Sequence, residues 1–473
     1  MAGNHTGGYV LVFGAGVTGR AVVDMLLSEG QDVVVADDSA VPRRAVFELN
    51  MPDGYARPGG GIRIVRAPRN RTLERLVAGA DRVVVSPGVP RSHPIHRMAA
   101  GKLTSEVGLA RARLQIPFVG ITGTNGKTTV VTLVASMLEK SHFRVAAAGN
   151  IGLPLISVIH RSIDVVVAEL SSFQLATTSD LAPTIGAWLN FQPDHLDWHT
   201  DMKDYRLSKT RIWEGVGPGC KVVANWNDEV VMEAARQATG TTGAELVAWG
   251  DGDGSWHREG DLIISPDGDT LVSIRTLYRS MPHDVDNALA ALAVATSAGA
   301  NLDGCAEALA GFNGLPHRVE LVADIQGVRY LDDSKSTTPS STAAALAGME
   351  DSSAVLIAGG RNKGLDLGTL RSCADTLKAV VAIGEDAHEV MAALETLCPV
   401  KVAGSMDEAV ALATGFADRG DSVILSPACA SYDWYGSYAS RGDDFRRCVL
   451  ELQGTHVFGE DPNRGVTNVP GGG

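Results

Sequence analysis

The sequence predicts an α/β fold in three domains, on three observations. Its 473 residues suit three domains at the usual size of about 100–200 residues each. Short apolar runs alternate with helix-spaced segments in three successive rounds. Glycine-rich loops stand where two of those runs pass into a helix.

The first round has strands at Tyr9–Phe13, Asp32–Ala36 and Arg82–Val85 and a helix at Arg20–Glu29. Its last strand ends in Ser86-Pro87-Gly88. The second opens with the strand Phe118–Thr122 and the helix Thr128–Lys140, followed by buried strands at Asp164–Glu169 and Thr184–Asn190. From Ala244 to Arg279, short strands with Asp-Gly turns predict antiparallel hairpins added to that sheet. The third round follows Gly314, with strands at Val328–Leu331, Ala354–Ala358, Ala379–Ile383, Val400–Ala403 and Ser422–Leu425. The domains therefore run 1–105, 106–314 and 315–473, the first and third Rossmann-like and the middle one P-loop ATPase-like with added β-hairpins. The last stretch of about 15–20 residues, rich in Gly, Pro and Asn, reads as a loose tail.

Composition narrows the function. Apolar residues are 45% and charged residues 20%, an ordinary soluble mixture. The net charge of −14 repels phosphate backbones and anionic lipid, so neither nucleic acid nor a membrane surface is expected as a partner. No apolar run reaches the ~18–20 residues of a membrane span; the nearest, Ala288–Ala300, reads as a buried helix. Met1–Gly8 has no basic and apolar leader, and six cysteines lack any C-x-x-C pair. Reduced thiols in a cytoplasmic monomer are the expectation.

Three sets of loops carry chemistry. Gly14-Ala15-Gly16-Val17-Thr18-Gly19 follows a strand and opens a helix, so its amides can meet a diphosphate, and Asp37 ends the next strand where an acid can hold a ribose. Alone, this pattern suits a nicotinamide-dependent dehydrogenase equally well. Gly123-Thr124-Asn125-Gly126-Lys127-Thr128-Thr129 also lies between strand and helix. Its amides can cradle phosphates, Lys127 can neutralise them and the Thr128 hydroxyl can ligate Mg²⁺. The longer phosphate-loop pattern fails at Ile121, where its first glycine would stand. Glu169 closes a buried strand, and His195 stands among acids in Asn190-Phe191-Gln192-Pro193-Asp194-His195-Leu196-Asp197; both suit a divalent ion. Lys209, on the helical stretch Asp204–Trp213, reads by itself as surface charge. The loops after the last-domain strands, Asp332–Thr337, Ala358–Lys363 and Ser426–Ser431, gather cations and hydroxyls at the carboxyl edge of a sheet, which suits an anionic substrate. Asp251-Gly252-Asp253-Gly254 lacks the closing glutamate of a calcium loop. Asn362-Lys363-Gly364-Leu365-Asp366 has one residue too many for a guanine-specificity motif.

Together these strings resemble the Mur ligases over nearly the whole chain, to Arg441-Gly442. The family marks are Gly123–Thr129, His317-Arg318 and Asp333-Ser334-Lys335. Gly14–Gly19 with Ser86-Pro87-Gly88, Glu169–Leu175 and Ser426–Ser431 resemble the branch that adds D-glutamate to UDP-N-acetylmuramoyl-L-alanine, and the Asp-Asn-Pro-Arg string of the diamino-acid-adding branch is absent. The resemblance implies an ATP-dependent acid–amino-acid ligase of peptidoglycan precursor synthesis, working through an acyl phosphate. It implies the UDP substrate on Val17, Thr18, Asp37 and Gly88. ATP would lie on Gly123, Thr124, Asn125, Gly126, Lys127, Thr128 and Thr129, with Asn287 near the adenine and Arg318 and Asp333 reaching from the third domain. One Mg²⁺ would sit on Thr128 and Glu169, and a second on His195 and on Lys209 as an N-carbamate. D-Glutamate would sit on Lys335, Thr337, Lys363, Ser431 and Tyr438. Asn150 would stand near the reacting carboxylate, and the catalytic set is Lys127, Asn150, His195, Lys209 and Lys335. Ser39 stands where a basic residue is expected, Ser336-Thr337-Thr338 where Ala-Thr-Asn is usual, and Tyr438 where phenylalanine is frequent. Another Mur ligase or a folylpolyglutamate synthetase is the nearest alternative; a nucleotide sensor without turnover is the farthest.

Overall fold

The structure, a computed structural model, describes residues 8–38, 61–179, 181–252 and 254–457. Ser39, Asp253 and most of the expected tail lie outside the described residues. The chain divides into two compact units, Met1–Asn313 and Gly314–Gly473.

In the first unit β1 (Tyr9–Phe13), β2 (Val33–Asp37), β3 (Ile62–Arg66), β4 (Ala80–Val85) and β5 (Leu103–Thr104) form a sheet in the order β3-β2-β1-β4-β5. Every pairing is parallel. The order reverses beside β1, and the switch point that ligands favour falls at its carboxyl end. The second sheet of this unit contains β6 (Phe118–Thr122), β7 (Val145–Gly149), β8 (Val165–Glu169), β9 (Ile185–Trp188), β10 (Lys221–Asn225) and β11 (Glu245–Trp249), ordered β11-β10-β9-β6-β8-β7 and parallel throughout. Its inner strands β6, β8 and β9 are buried at every residue, which is why they read as unbroken apolar runs. The helix Pro282–Ser297 buries all of Ala288–Ala295 because it is apolar all round.

The hairpin expectation holds for β12 (His257–Glu259), β13 (Leu262–Ile264) and β14 (Thr270–Ser273), an antiparallel sheet. It fails for β11, which extends the parallel sheet at its edge. An edge strand has only one neighbour, so its half-exposed sequence carries a weaker apolar signal than the inner strands. The two large sheets of the unit are tied together: Glu106 Oε1 accepts from the Ile156 amide at 2.6 Å, and Arg113 pairs with Glu29 at 2.6 Å. Burial pushes the Glu106 carboxyl up to about 7, opposed by the amides of Ile156 and Leu155.

In the second unit β15 (Glu320–Ile325), β16 (Val328–Asp332), β17 (Ala354–Gly359), β18 (Leu377–Ile383), β19 (Val400–Val402) and β20 (Ser422–Leu425) are ordered β15-β16-β20-β17-β18-β19. Only β15 runs antiparallel. The carboxyl ends of β16, β20 and β17 are therefore adjacent, and all three expected loops leave from them. Among the described residues no helix is long and apolar enough to cross a membrane, and all six cysteines are free.

Candidate functional site

The first glycine loop is built by close approach. Gly14 has φ +100°, and a Cβ on Gly19 would lie 1.9 Å from the Gly14 carbonyl oxygen, so only glycine lets the helix Val17–Ser28 start against the strand end. Asp37 accepts from the Ala15 amide at 2.7 Å, which fixes the loop to β2. The Ser86 hydroxyl donates to the Gly14 carbonyl at 3.1 Å, bringing the loop of Gly88 to the same edge. Val17 is 71% exposed at the helix start, and Thr18 is half-buried beside it.

The second loop stands at the end of β6. Gly126 takes φ +79° as it opens the helix Lys127–Lys140, and a Cβ there would lie 2.3 Å from Asn287 Oδ1. Asn287 thus borders the loop itself. Asn190 Oδ1 accepts from the amides of Thr124 and Asn125 at 3.0 and 2.8 Å. This clamp was not among the expected site residues; its one sequence signal is a polar amide closing an apolar strand. Lys127 Nζ donates to the carbonyls of Gly123 and Thr124 at 2.9 and 2.8 Å. The Thr128 hydroxyl donates to Glu169 Oε2 at 2.8 Å, while Asn150 Nδ2 donates to Oε1 at 2.9 Å. Thr128, Asn150 and Glu169 are one hydrogen-bonded group beside the phosphate loop, and its hydroxyl and carboxylate oxygens fit the hard-donor preference of Mg²⁺.

Lys209 is not surface charge. It is 1% exposed, and its Nζ donates to the Gly123 carbonyl at 2.6 Å and lies 4.8 Å from the Tyr205 ring centre. Burial, with Lys127 adding repulsion, holds its pKa well below the usual lysine value, against the pull of Asp194 and Glu169. Such an amine spends more time neutral, the form that reacts with CO₂. His195 adopts φ +55°, its ring lies 6.2 Å from that of Tyr205, and its Nε2 is 3.2 Å from Asp194 Oδ2. A carboxylate on one ring nitrogen is the usual support of a ligating imidazole, whose other nitrogen then faces the metal. The donors on hand therefore fit a divalent ion.

In the second unit the three expected loops meet around a buried arginine. Ser426 Oγ donates to Asp333 Oδ2 at 2.7 Å, the Ala428 amide to Ser336 O at 3.0 Å and the Gly359 amide to Pro427 O at 2.8 Å. Arg441, 1% exposed, lies beneath them. It donates to Ser334 Oγ and Ser334 O at 3.0 Å each, to Cys429 O at 3.1 Å and to Gly359 O at 3.4 Å. Burial lowers its pKa to about 10. Sequence reading missed this residue, since an arginine on a helix ordinarily reads as solvated. Burial also pushes Asp333 up to about 6, opposed by Ser336, Ser426 and Arg318. His317 Nδ1 is 2.7 Å from Asp332 Oδ2. Lys335 Nζ lies 4.0 Å above the Tyr438 ring, so these two are together; Ser431 is buried and Thr337 and Lys363 half-buried on the neighbouring loops.

A Gly-Lys-Thr loop at a strand–helix junction, together with a second glycine loop on a separate parallel sheet, defines an α/β protein of the nucleotide-binding class. The chain belongs to the Mur ligase family. Residues 8–108 match the profile described as Mur ligase MurD-like, N-terminal domain. Residues 121–295 match the Mur ligase middle domain, and 317–429 the Mur ligase, glutamate ligase domain. The nicotinamide reading of Gly14–Gly19 gives way to the first of these. Among curated relatives, the UDP-N-acetylmuramoylalanine–D-glutamate ligase of Frankia casuarinae is 38% identical over 464 residues, 94% of each chain. That of Nitrosococcus oceani is 35% identical over 453 residues, 93% of this chain and 96% of its own. Among solved structures, the UDP-N-acetylmuramate-alanine ligase of Thermotoga maritima matches with a TM-score of 0.57 at 20% identity, covering 94% of this chain and 99% of that one. The pseudomurein peptide ligase type C of Methanothermus fervidus gives 0.57 at 18%, covering 94% and 100%. These two show the shared fold.

Proposed function

We propose that the chain is an ATP-dependent ligase that joins D-glutamate to UDP-N-acetylmuramoyl-L-alanine in the cytoplasm, during peptidoglycan precursor synthesis. The observation that carries the reading is the end-to-end likeness to relatives bearing that ligase's name. A site of matching chemistry supports it, with Lys127 and Thr128 half-buried at the loop and Glu169 and Lys209 buried behind them.

A carboxylate resists amines because it is anionic and oxide is a poor leaving group. Its oxygen attacks the γ-phosphorus of ATP, the bond to ADP breaks, and an acyl phosphate forms. The amine of D-glutamate then attacks the carbonyl carbon, and the C–O bond breaks to release phosphate. The Gly123–Thr129 amides and Lys127 cradle the phosphates. Asn287 lies beside Gly126 and on this reading borders the nucleotide, with Arg318 and Asp333 serving it as well. Thr128 and Glu169 would hold one Mg²⁺, and His195 with Lys209 as an N-carbamate would hold a second; ions bound there would supply positive charge against the phosphoryl oxygens. Asn150, held by Glu169, stands ready to donate toward the reacting carboxylate. Val17, Thr18, Asp37 and Gly88 hold the UDP end. Lys335, Thr337, Lys363, Ser431 and Tyr438 hold the amino acid, its carboxylates matched by lysines and hydroxyls.

A coupled phosphate-release assay with ATP, Mg²⁺ and UDP-N-acetylmuramoyl-L-alanine tests this. Sustained release is expected with D-glutamate and not with L-glutamate. Equal release with either, or with a diamino acid in its place, overturns the substrate assignment.

A further inference from the structure

Arg91 stands three residues beyond Gly88, in the loop leaving β4. That loop is fastened at both sides to the first glycine loop's sheet: Ser86 Oγ donates to Gly14 O at 3.1 Å, and the His93 ring lies 4.7 Å from that of Phe13. The Arg91 side chain turns the other way. Its Nη1 pairs with Asp204 Oδ2, and its guanidinium carbon lies 5.3 Å from the Trp198 ring centre. Asp204 is in the first turn of the helix Met202–Thr210, whose last turn holds Lys209. The same Asp204 oxygen accepts from the Thr200 amide at 3.2 Å and lies 3.3 Å from His199 Nδ1, while His199 Nε2 lies 3.0 Å from Ser172 Oγ. Burial raises Asp204, but the Thr200 amide, Arg91 and His199 outweigh it and hold the carboxyl below its usual value. Trp198 in turn touches Phe173 at 4.8 Å between ring centres, and Phe173 touches His195 at 4.6 Å.

We infer that Arg91 is a positioning residue for the ligase reaction: through Asp204 and Trp198 it locks the loop that borders the UDP end of the substrate to the helix carrying Lys209 and to the preceding segment carrying His195. The inference rests on the function proposed above. Its logic is geometric. A substrate seated by the Gly14–Gly19 and Ser86–Gly88 loops presents its carboxylate to groups on a different sheet, so the register between those sheets sets whether the carboxylate arrives. Near-attack geometry is sensitive to small displacements. A half-exposed ion pair contributes little to stability, and an exposed cation–π contact adds only a modest attraction. The pair's effect therefore belongs in substrate positioning.

Steady-state kinetics of Arg91→Ala, Arg91→Lys, Asp204→Asn and the Arg91→Ala/Asp204→Asn double variant test this. Arg91→Ala is expected to lower kcat/KM for UDP-N-acetylmuramoyl-L-alanine about tenfold, mainly through kcat, with KM for ATP and the thermal midpoint unchanged. Arg91→Lys recovers part of the loss. Asp204→Asn lowers the same kcat/KM, and the double variant is no worse than the single ones, since both remove one coupling. An unchanged kcat/KM for the UDP substrate in Arg91→Ala overturns the inference, as does an effect of Arg91→Ala without one of Asp204→Asn, which marks direct substrate contact. A parallel rise in the ATP KM overturns it too. Because each comparison is made against an active parent, an inactive parent counts against the ligase reading and not against the latch.

Discussion

Lys209→Ala is expected to lower ligase turnover by about 100-fold or more, the scale of losing a charge stabiliser at a phosphoryl-transfer centre. The variant should still fold and still bind ATP, because the carbonyl that accepts from the amine, Gly123 O, keeps Lys127 Nζ as a donor once the side chain is gone. Adding acetate or another short carboxylic acid should restore part of the rate by returning an anionic oxygen donor to the vacated space. This distinguishes two roles for one buried side chain. If Lys209 acts as an ammonium pinning the phosphate loop, methylamine restores activity and acetate does not. Full activity in the alanine variant removes the lysine from the mechanism. The burial that depresses its pKa gives the chemical reason to expect the carbamate: only the unprotonated amine adds to CO₂.

Arg441→Met is expected to cost about 3 kcal/mol or more, because buried carbonyls lose their donors at once. Ser334 O, Cys429 O and Gly359 O all accept from this guanidinium, and the apolar replacement offers them nothing. Arg441→Lys should recover little, since a single ammonium cannot reproduce the planar fork. Amide hydrogen exchange gives the local readout. Protection should fall in the loops 332–336, 359–361 and 426–431, with KM for D-glutamate rising alongside. Unchanged protection there means that the loops hold one another without the arginine.

What the sequence disclosed and what it concealed follow from burial. Phe118–Thr122 and Ser422–Leu425 were legible to the residue because strands covered on both faces need continuous apolar side chains. The edge strand Glu245–Trp249 was not, and neither was the antiparallel β15, where apolar and polar residues mix. The phosphate loop and Glu169 were legible as chemistry because glycine, lysine and a strand-ending carboxylate each have few other uses together. Lys209 needed the family resemblance: nothing in its local spacing says that a lysine points inward. Asn190 and Arg441 escaped because their work is to hold backbone, Asn190 accepting from amides and Arg441 donating to carbonyls, and such backbone groups belong to every residue whatever its side chain.

The central claim is that one oxygen of the alanyl carboxylate of the UDP substrate leaves as an oxygen of the released phosphate. Supplying UDP-N-acetylmuramoyl-L-alanine with isotopically heavy oxygen in that carboxylate, and weighing the phosphate released with D-glutamate, tests it directly. One heavy oxygen in each phosphate is the expected result. Phosphate carrying none, with amide still formed, contradicts the acyl phosphate and the account built on it.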